Sequence, residues 1–182
     1  MSDEPLDAAS LAREVIDANQ YLVLGTADPS GQPWTTPVYF AHHDYREFIW
    51  VSAPERTHSQ NLLARPEVAI VIFDSQAPIN TGQGVYIAAT AAPIGDADLA
   101  PYVEVFSARS LAHGGRAFSV SEVTGDADLR LYRAVADQHW ILAKDGGPDR
   151  RIPIDIGAPA HRPLAARAIE GPRDSQPGGR PG

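Results

Sequence analysis

Residues Phe48–Asp74 read FIWVSAPERTHSQNLLARPEVAIVIFD, and their pattern is strand, polar loop, short helix, strand. Phe48–Ser52 is the first strand and Val68–Asp74 the second; the latter is a run of Val, Ile and Phe, which suit a buried pleated surface. Between them stands the polar cluster Arg56-Thr57-His58-Ser59-Gln60-Asn61. Thr57 is a good N-cap for a helix over His58 to Ala64, and Pro66 marks its end. The start of that helix offers unpaired backbone N–H groups, hydroxyls, an Arg and a His in one small volume. That chemistry suits an anion such as a phosphate. The plainer reading is a well-capped connection between two strands.

Upstream, Leu6 to Ala18 has the spacing of an amphipathic helix, with Pro5 at its first position. Tyr21–Thr26 is a strand, Asp28-Pro29-Ser30-Gly31 a turn, and Pro33–Ala41 a second strand. Pro37 within it requires an edge position or a bulge. His42 to Glu47 reads as a solvated turn rather than a metal site. The three strands form an antiparallel meander.

Downstream, a loop over Ser75–Gln83 leads to the small-residue strand Gly84–Ile94. Asp96 caps a helix over Ala97–Ala108, and residues 109–127 read as irregular. Leu129–Val135 and His139–Ala143 read as a hairpin around Asp137-Gln138, with a short helix as the alternative for the first segment. Arg151–Ile156 is a last short strand. Residues 1–156 therefore form one domain. Residues 157–182, with five Pro and five Gly, form a separate tail expected to be disordered. Many short strands without βαβ alternation indicate a mainly β (α+β) domain, a closed antiparallel barrel with flanking helices.

The whole chain has 182 residues, enough for one core, and a net charge of −8. An acidic protein is a poor partner for nucleic acid, which needs a basic face. No apolar run approaches the length of a membrane span, and the start Met-Ser-Asp-Glu-Pro lacks the features of a secretory signal. A cytoplasmic location is the expectation. There is no cysteine, so disulfides and thiolate chemistry are excluded. Ser107, Ser110 and His113 make no hydrolase signature. Trp34 and Trp50 read as core residues.

Four segments together resemble the pyridoxamine 5'-phosphate oxidase-like split-barrel flavoproteins. They are TADPSGQPWTTPVYF at Thr26–Phe40, the stretch Phe48–Asp74, GQGVYIAATA at Gly82–Ala91, and RLYRA at Arg130–Ala134 followed by HWIL at His139–Leu142. The resemblance implies a six-stranded antiparallel split barrel that forms a homodimer, with FMN held non-covalently at the subunit interface. It implies that Thr35, Thr36, Pro37 and Val38 lie along the flavin ring and that Val51 and Ser52 meet the ring edge and ribityl chain. It implies that Arg56, Thr57, His58 and Ser59, with Asn61, surround the 5'-phosphate. Gln83 would approach the ring, and Trp140 would come from the other subunit.

Two departures from the family pattern matter. Thr57-His58 stand where the oxidase proper carries an Arg-Lys pair, leaving Arg56 as the fixed charge. Asp149-Arg150-Arg151-Ile152-Pro153 has no match to the oxidase's Arg-x-His substrate motif, so vitamin B6 oxidation is not expected. The readings that follow are an FMN-dependent oxidoreductase on a small-molecule substrate, a reductase using the deazaflavin coenzyme F-420, and a flavin-binding protein without turnover.

Overall fold

The computed structural model describes residues 7–144 and 148–156. The expected tail, Pro5 and Leu6 lie outside them. The first helix, α1 (Ala8–Ala18), is capped by Asp7, whose Oδ1 accepts from Ala9 and Ser10 N–H at 2.9 Å. It buries Ala12 and Ile16 against the sheet.

The strands follow as β1 (Tyr21–Ala27), β2 (Pro33–Tyr39), β3 (Ala41–His43) and β4 (Glu47–Ser52), and then helix α2 (Thr57–Ala64). After it come β5 (Glu67–Phe73), β6 (Gly84–Pro93), helix α3 (Leu99–Ala112), β7 (Arg130–Leu142) and β8 (Arg151–Ile154). All the pairings are antiparallel, in the order β2-β1-β5-β6-β7-β4-β3, with β8 added beside β7. The two ends of that order, β2 and β3, are consecutive in the chain and joined through Phe40. The sheet therefore curls into a barrel. Its six staves become eight strands because the second stave breaks at Phe40 and β8 is appended. Pro37 pairs with Val23 on β2, an edge strand, where its missing N–H costs no ladder bond.

Alternation fills the barrel. Leu22 and Leu24 of β1, Val68, Ile70 and Ile72 of β5, and Val85, Ile87 and Ala89 of β6 all point inward. β4 is buried on both faces. Phe48 and Trp50 enter the barrel core, Trp50 stacking on Tyr132 at 5.7 Å between centroids. Ile49 faces outward into a second cluster with Leu99, Tyr102, Val103 and Phe106 of α3.

Three sequence readings are corrected here. The expected hairpin around Asp137-Gln138 is one strand, β7. Ala88 pairs with Gln138 and Ala89 with Ala136, so Asp137 is an extra bulged residue. The bulge reverses the alternation: Ala134 and Ala136 are buried before it, His139 and Ile141 after it. Next, α3 starts at Leu99, after a 3₁₀ turn over Asp96–Asp98, and continues to Ala112, so part of the expected irregular stretch is helical. Finally, His42 and His43 belong to β3, not to a solvated turn. His42 is held by Asp17 (Nε2 to Oδ1 2.9 Å) and stacks on Tyr45 at 4.5 Å. The turn itself is Asp44–Arg46, with φ of 51° at Asp44 and 56° at Tyr45.

Glu47 ties α3 to the barrel. Its buried carboxylate accepts from Tyr102 Oη at 2.9 Å and from Arg133 Nη1 at 3.0 Å. Burial, reinforced by the carboxylate, pushes the Tyr102 phenol up, so it remains a donor. Glu47→Gln leaves Arg133 without its counter-charge. The expected loss of stability is about 2 kcal/mol, moderated because Arg133 keeps 33% of its side chain in water. Urea denaturation measures it, and an unchanged midpoint would remove Glu47 from this role.

His139 sits past the bulge with Nε2 on the Tyr45 carbonyl at 2.9 Å, and burial pushes it down to about 4. The unfolded chain therefore takes up this proton first. The contribution of His139 is complete above about pH 6.5 and is lost as pH falls towards 4. His139→Gln should flatten the fall in Tm across that window. An identical fall in the variant would assign the acid sensitivity to other groups.

Candidate functional site

A cleft of about 710 Å³ opens where β2, the end of β4, the start of α2 and α3 approach one another. Its volume falls in the range of small-molecule and cofactor sites. β2 supplies Trp34, Thr36, Pro37 and Val38 to one side. Trp34 is not the core residue its size suggested. It is 50% exposed, and its indole Nε1 donates to Thr36 Oγ1 at 2.9 Å. Val51 and Ser52 bring the end of β4, and Arg56, Thr57 and His58 bring the start of α2.

The helix start differs by one residue from the sequence reading. Arg56 occupies the N-cap position and Thr57 is the first helical residue, with no side-chain capping bond. The first-turn N–H groups have no partner within the helix, as at any helix start. They contribute the positive end of the helix dipole beside the Arg56 guanidinium.

His58 turns inward. Its Nε2 lies 2.9 Å from Ser52 Oγ, and the pair is buried. Burial, and secondarily Arg56, holds the ring below the usual imidazole range, so at neutral pH it is uncharged. Of the two residues that sequence reasoning offered as charges, Arg56 remains.

The other expected site residues divide. Thr35 lies on β2 opposite Gly25, exposed, outside the cleft lining. Ser59 is buried beneath the helix start, and its Oγ finds no partner among the described residues. Asn61 points away from the cleft to donate to Thr26 Oγ1 at 3.0 Å, and Thr26 Oγ1 donates to the Trp34 carbonyl at 3.3 Å. That relay fixes α2 against β1 and β2. Gln83 and Trp140 are elsewhere in the chain. Gln83 is bonded to the backbone of Leu142, and Trp140 pairs with Tyr86 and Pro153.

Sequence reasoning missed the opposite wall. Phe106 and Ser110 come from α3, Arg116 and Phe118 from the segment after it, and Leu129 from the approach to β7. Tyr39 also lines the cleft and bonds His113 Nδ1 through its hydroxyl at 2.9 Å. Phe106 was legible as an apolar helix residue. No periodicity marks Arg116 or Phe118. Among the described lining residues two are arginines and none is acidic, in a chain with 23 Asp and Glu. The cleft is aromatic-walled and its described lining holds no carboxylate, although Glu122 pairs with the lining Arg116 at 2.6 Å.

The family model for pyridoxamine 5'-phosphate oxidase matches residues 10–141. No curated protein matches the chain in sequence. Solved structures share the fold. A haem binding protein from Mycobacterium smegmatis aligns with a TM-score of 0.63 at 19% identity, over 91% of this chain and 62% of that one. A FAD-binding protein from Mesorhizobium loti aligns at 0.57 and 18%, over 74% and 91%. A Clostridium acetobutylicum protein of the pyridoxinephosphate oxidase family, related to general stress protein 26 of B. subtilis, aligns at 0.58 and 13%, over 81% and 94%. The fold is thus the split barrel. Among the described residues no helix is long and apolar enough to cross a membrane.

Ser52→Ala strips His58 Nε2 of its partner in a buried setting. The expected cost is about 1 kcal/mol, read from denaturant unfolding. Equal stability of variant and parent would show that the bond does not hold the helix start.

Proposed function

We propose, for a chain that belongs to the pyridoxamine 5'-phosphate oxidase family, that the cleft binds FMN and that the protein is an FMN-dependent oxidoreductase acting as a homodimer in the cytoplasm. The observation that carries this reading is the acid-free, aromatic-walled cleft ending at the start of α2 with Arg56 beside it. A flavin mononucleotide is a flat aromatic ring joined to a doubly charged phosphate, and this cleft offers a partner for each part.

In this reading Thr36, Pro37 and Val38 form the side along which the ring lies, with Thr35 next to them on the strand. Val51 and Ser52 meet the ring edge and the ribityl chain. Arg56 and the N–H groups of Thr57, His58 and Ser59 hold the phosphate, and Asn61 keeps the helix in place. Gln83 and Trp140, distant within one chain, serve the site of the partner subunit. Bound flavin supplies the hydride or electron chemistry. The protein's part is to orient the ring and to exclude water from it.

The visible spectrum of the purified protein, before and after adding FMN, tests the proposal. Flavin bands that co-purify, or quenching of added FMN fluorescence, would support it. Arg56→Ala should weaken FMN binding about tenfold with unchanged circular dichroism, and light scattering should give a dimer. Binding of the deazaflavin coenzyme F-420 in place of FMN would move the assignment to that cofactor. Failure to bind either would end the flavin reading.

A further inference from the structure

We propose that Arg116 is the second cationic arm of the cleft, gripping the ligand's phosphate and setting a preference for phosphorylated over unphosphorylated flavin. The proposal rests on the flavin reading above.

Arg116 is not a loose surface arginine. Its guanidinium lies over the Phe118 ring, 3.9 Å from the centroid. Phe118 is itself fixed. Its N–H donates to Ser107 Oγ at 2.9 Å, its carbonyl accepts from the same hydroxyl at 3.3 Å, and its ring meets Phe106 edge to face at 5.3 Å. On the other side, Arg116 Nη1 donates to Glu122 Oε1 at 2.6 Å. The second oxygen of Glu122 is held by Ser119 N–H at 2.8 Å and Ser119 Oγ at 3.0 Å. The ring below and the carboxylate beside it determine where the guanidinium stands. They favour one placement of a side chain that is otherwise 57% exposed.

Geometry leaves part of the guanidinium for a ligand. Nη1 is engaged by Glu122 and by the Ala117 carbonyl at 3.1 Å, whereas Nη2 and Nε make no hydrogen bond among the described residues. The Nε–Nη2 edge of the guanidinium can take a phosphate by more than one N–H.

Location joins it to Arg56. Phe118, Val51 and Leu129 pack on the same outer cluster, and Val51 is the β4 residue before Ser52, where the chain turns towards Arg56 and α2. Arg116 and Arg56 line one cleft, and His58 between them in function is neutral. A phosphate monoester carries about −1.5 to −2 charges. Arg56 alone under-compensates it, and Arg116 is the other cation of the described lining, its charge shared with Glu122 until a phosphate competes for it. The Arg116–Glu122 pair is solvent-exposed and weak in itself, so the arm can share its charge with a phosphate without a large penalty.

The test is fluorescence titration of the full-length protein and of R116A, R116Q and R116K with FMN and, in parallel, with riboflavin. R116A and R116Q should bind FMN about tenfold more weakly and riboflavin within about twofold of the parent; R116K should fall between. Raising salt should erode the preference for FMN more steeply in the parent than in R116Q, which keeps Arg56. R116Q keeps the side chain over Phe118 and carries the test if R116A unfolds. Equal losses for FMN and riboflavin, or no loss for either, would overturn the role of Arg116 while leaving the flavin reading intact. A parent protein that binds neither ligand would overturn both.

Discussion

Strand β4 must be covered on both of its faces, and the rest of the architecture answers to that requirement. Phe48 and Trp50 fill the barrel, so this side is closed by the other strands. Ile49 and Val51 face the opposite way and need an apolar partner outside the barrel. Helix α3 is that partner, and the Glu47–Tyr102–Arg133 cluster fixes its position at one point. Arg109 extends the fixation from α3 to α1: its Nη2 lies 2.9 Å from the Asn19 carbonyl, so it satisfies backbone acceptors at the end of the first helix. Once α3 is in place, the segment that returns from it to β7 must pass the end of β4. There it becomes the second wall of the cleft. The cleft is in this sense a by-product of covering a doubly buried strand.

Electrostatics in that cleft is organised by omission. The protein carries a formal charge of −8, yet none of the described lining residues is acidic and two are arginines, one of them paired with Glu122. The histidine there does not add to the charge, because burial, and secondarily the charge of Arg56, disfavours its protonated form. His58 acts instead as a neutral bracket, joining the start of α2 to the end of β4 through Ser52. That bracket and the Asn61–Thr26–Trp34 relay hold the helix start in register with both strands that border it. A helix N-terminus is useful to an anion only when its direction is fixed, and two buried side-chain bonds supply that direction.

The sequence showed those elements whose burial follows a simple period. β1 and β5 alternate without interruption and were legible from Leu22, Leu24, Val68, Ile70 and Ile72. Pro37 announced an edge, and the polar start of α2 announced one wall of the cleft. β7 was not legible because the bulge at Asp137 shifts the buried parity by one residue, and a phase reversal beside Asp and Gln looks like a turn. Trp34 was misplaced because size argues for burial, whereas its strand is an edge whose outer face borders the cleft. Arg116 and Phe118 carry no periodic signal at all. What places them is a hydroxyl from α3, Ser107, bonding a backbone group eleven residues later in the chain, and such a tertiary bond leaves no trace in local pattern.

A split barrel does not choose its ligand; the side chains at the open end of β4 do. Three of them act on the choice in different ways in this chain. Ser52 holds His58 Nε2 and so fixes the imidazole at the end of β4. Arg56 adds a fixed charge at a helix start that lacks a side-chain cap, so the N–H groups and the guanidinium face the same volume. Phe118 lines the cleft and at the same time seats Arg116 over its ring. The apolar wall and the cation above it are then positioned by the same ring. A ligand with an aromatic part and an anionic part can use both only if the two lie a fixed distance apart.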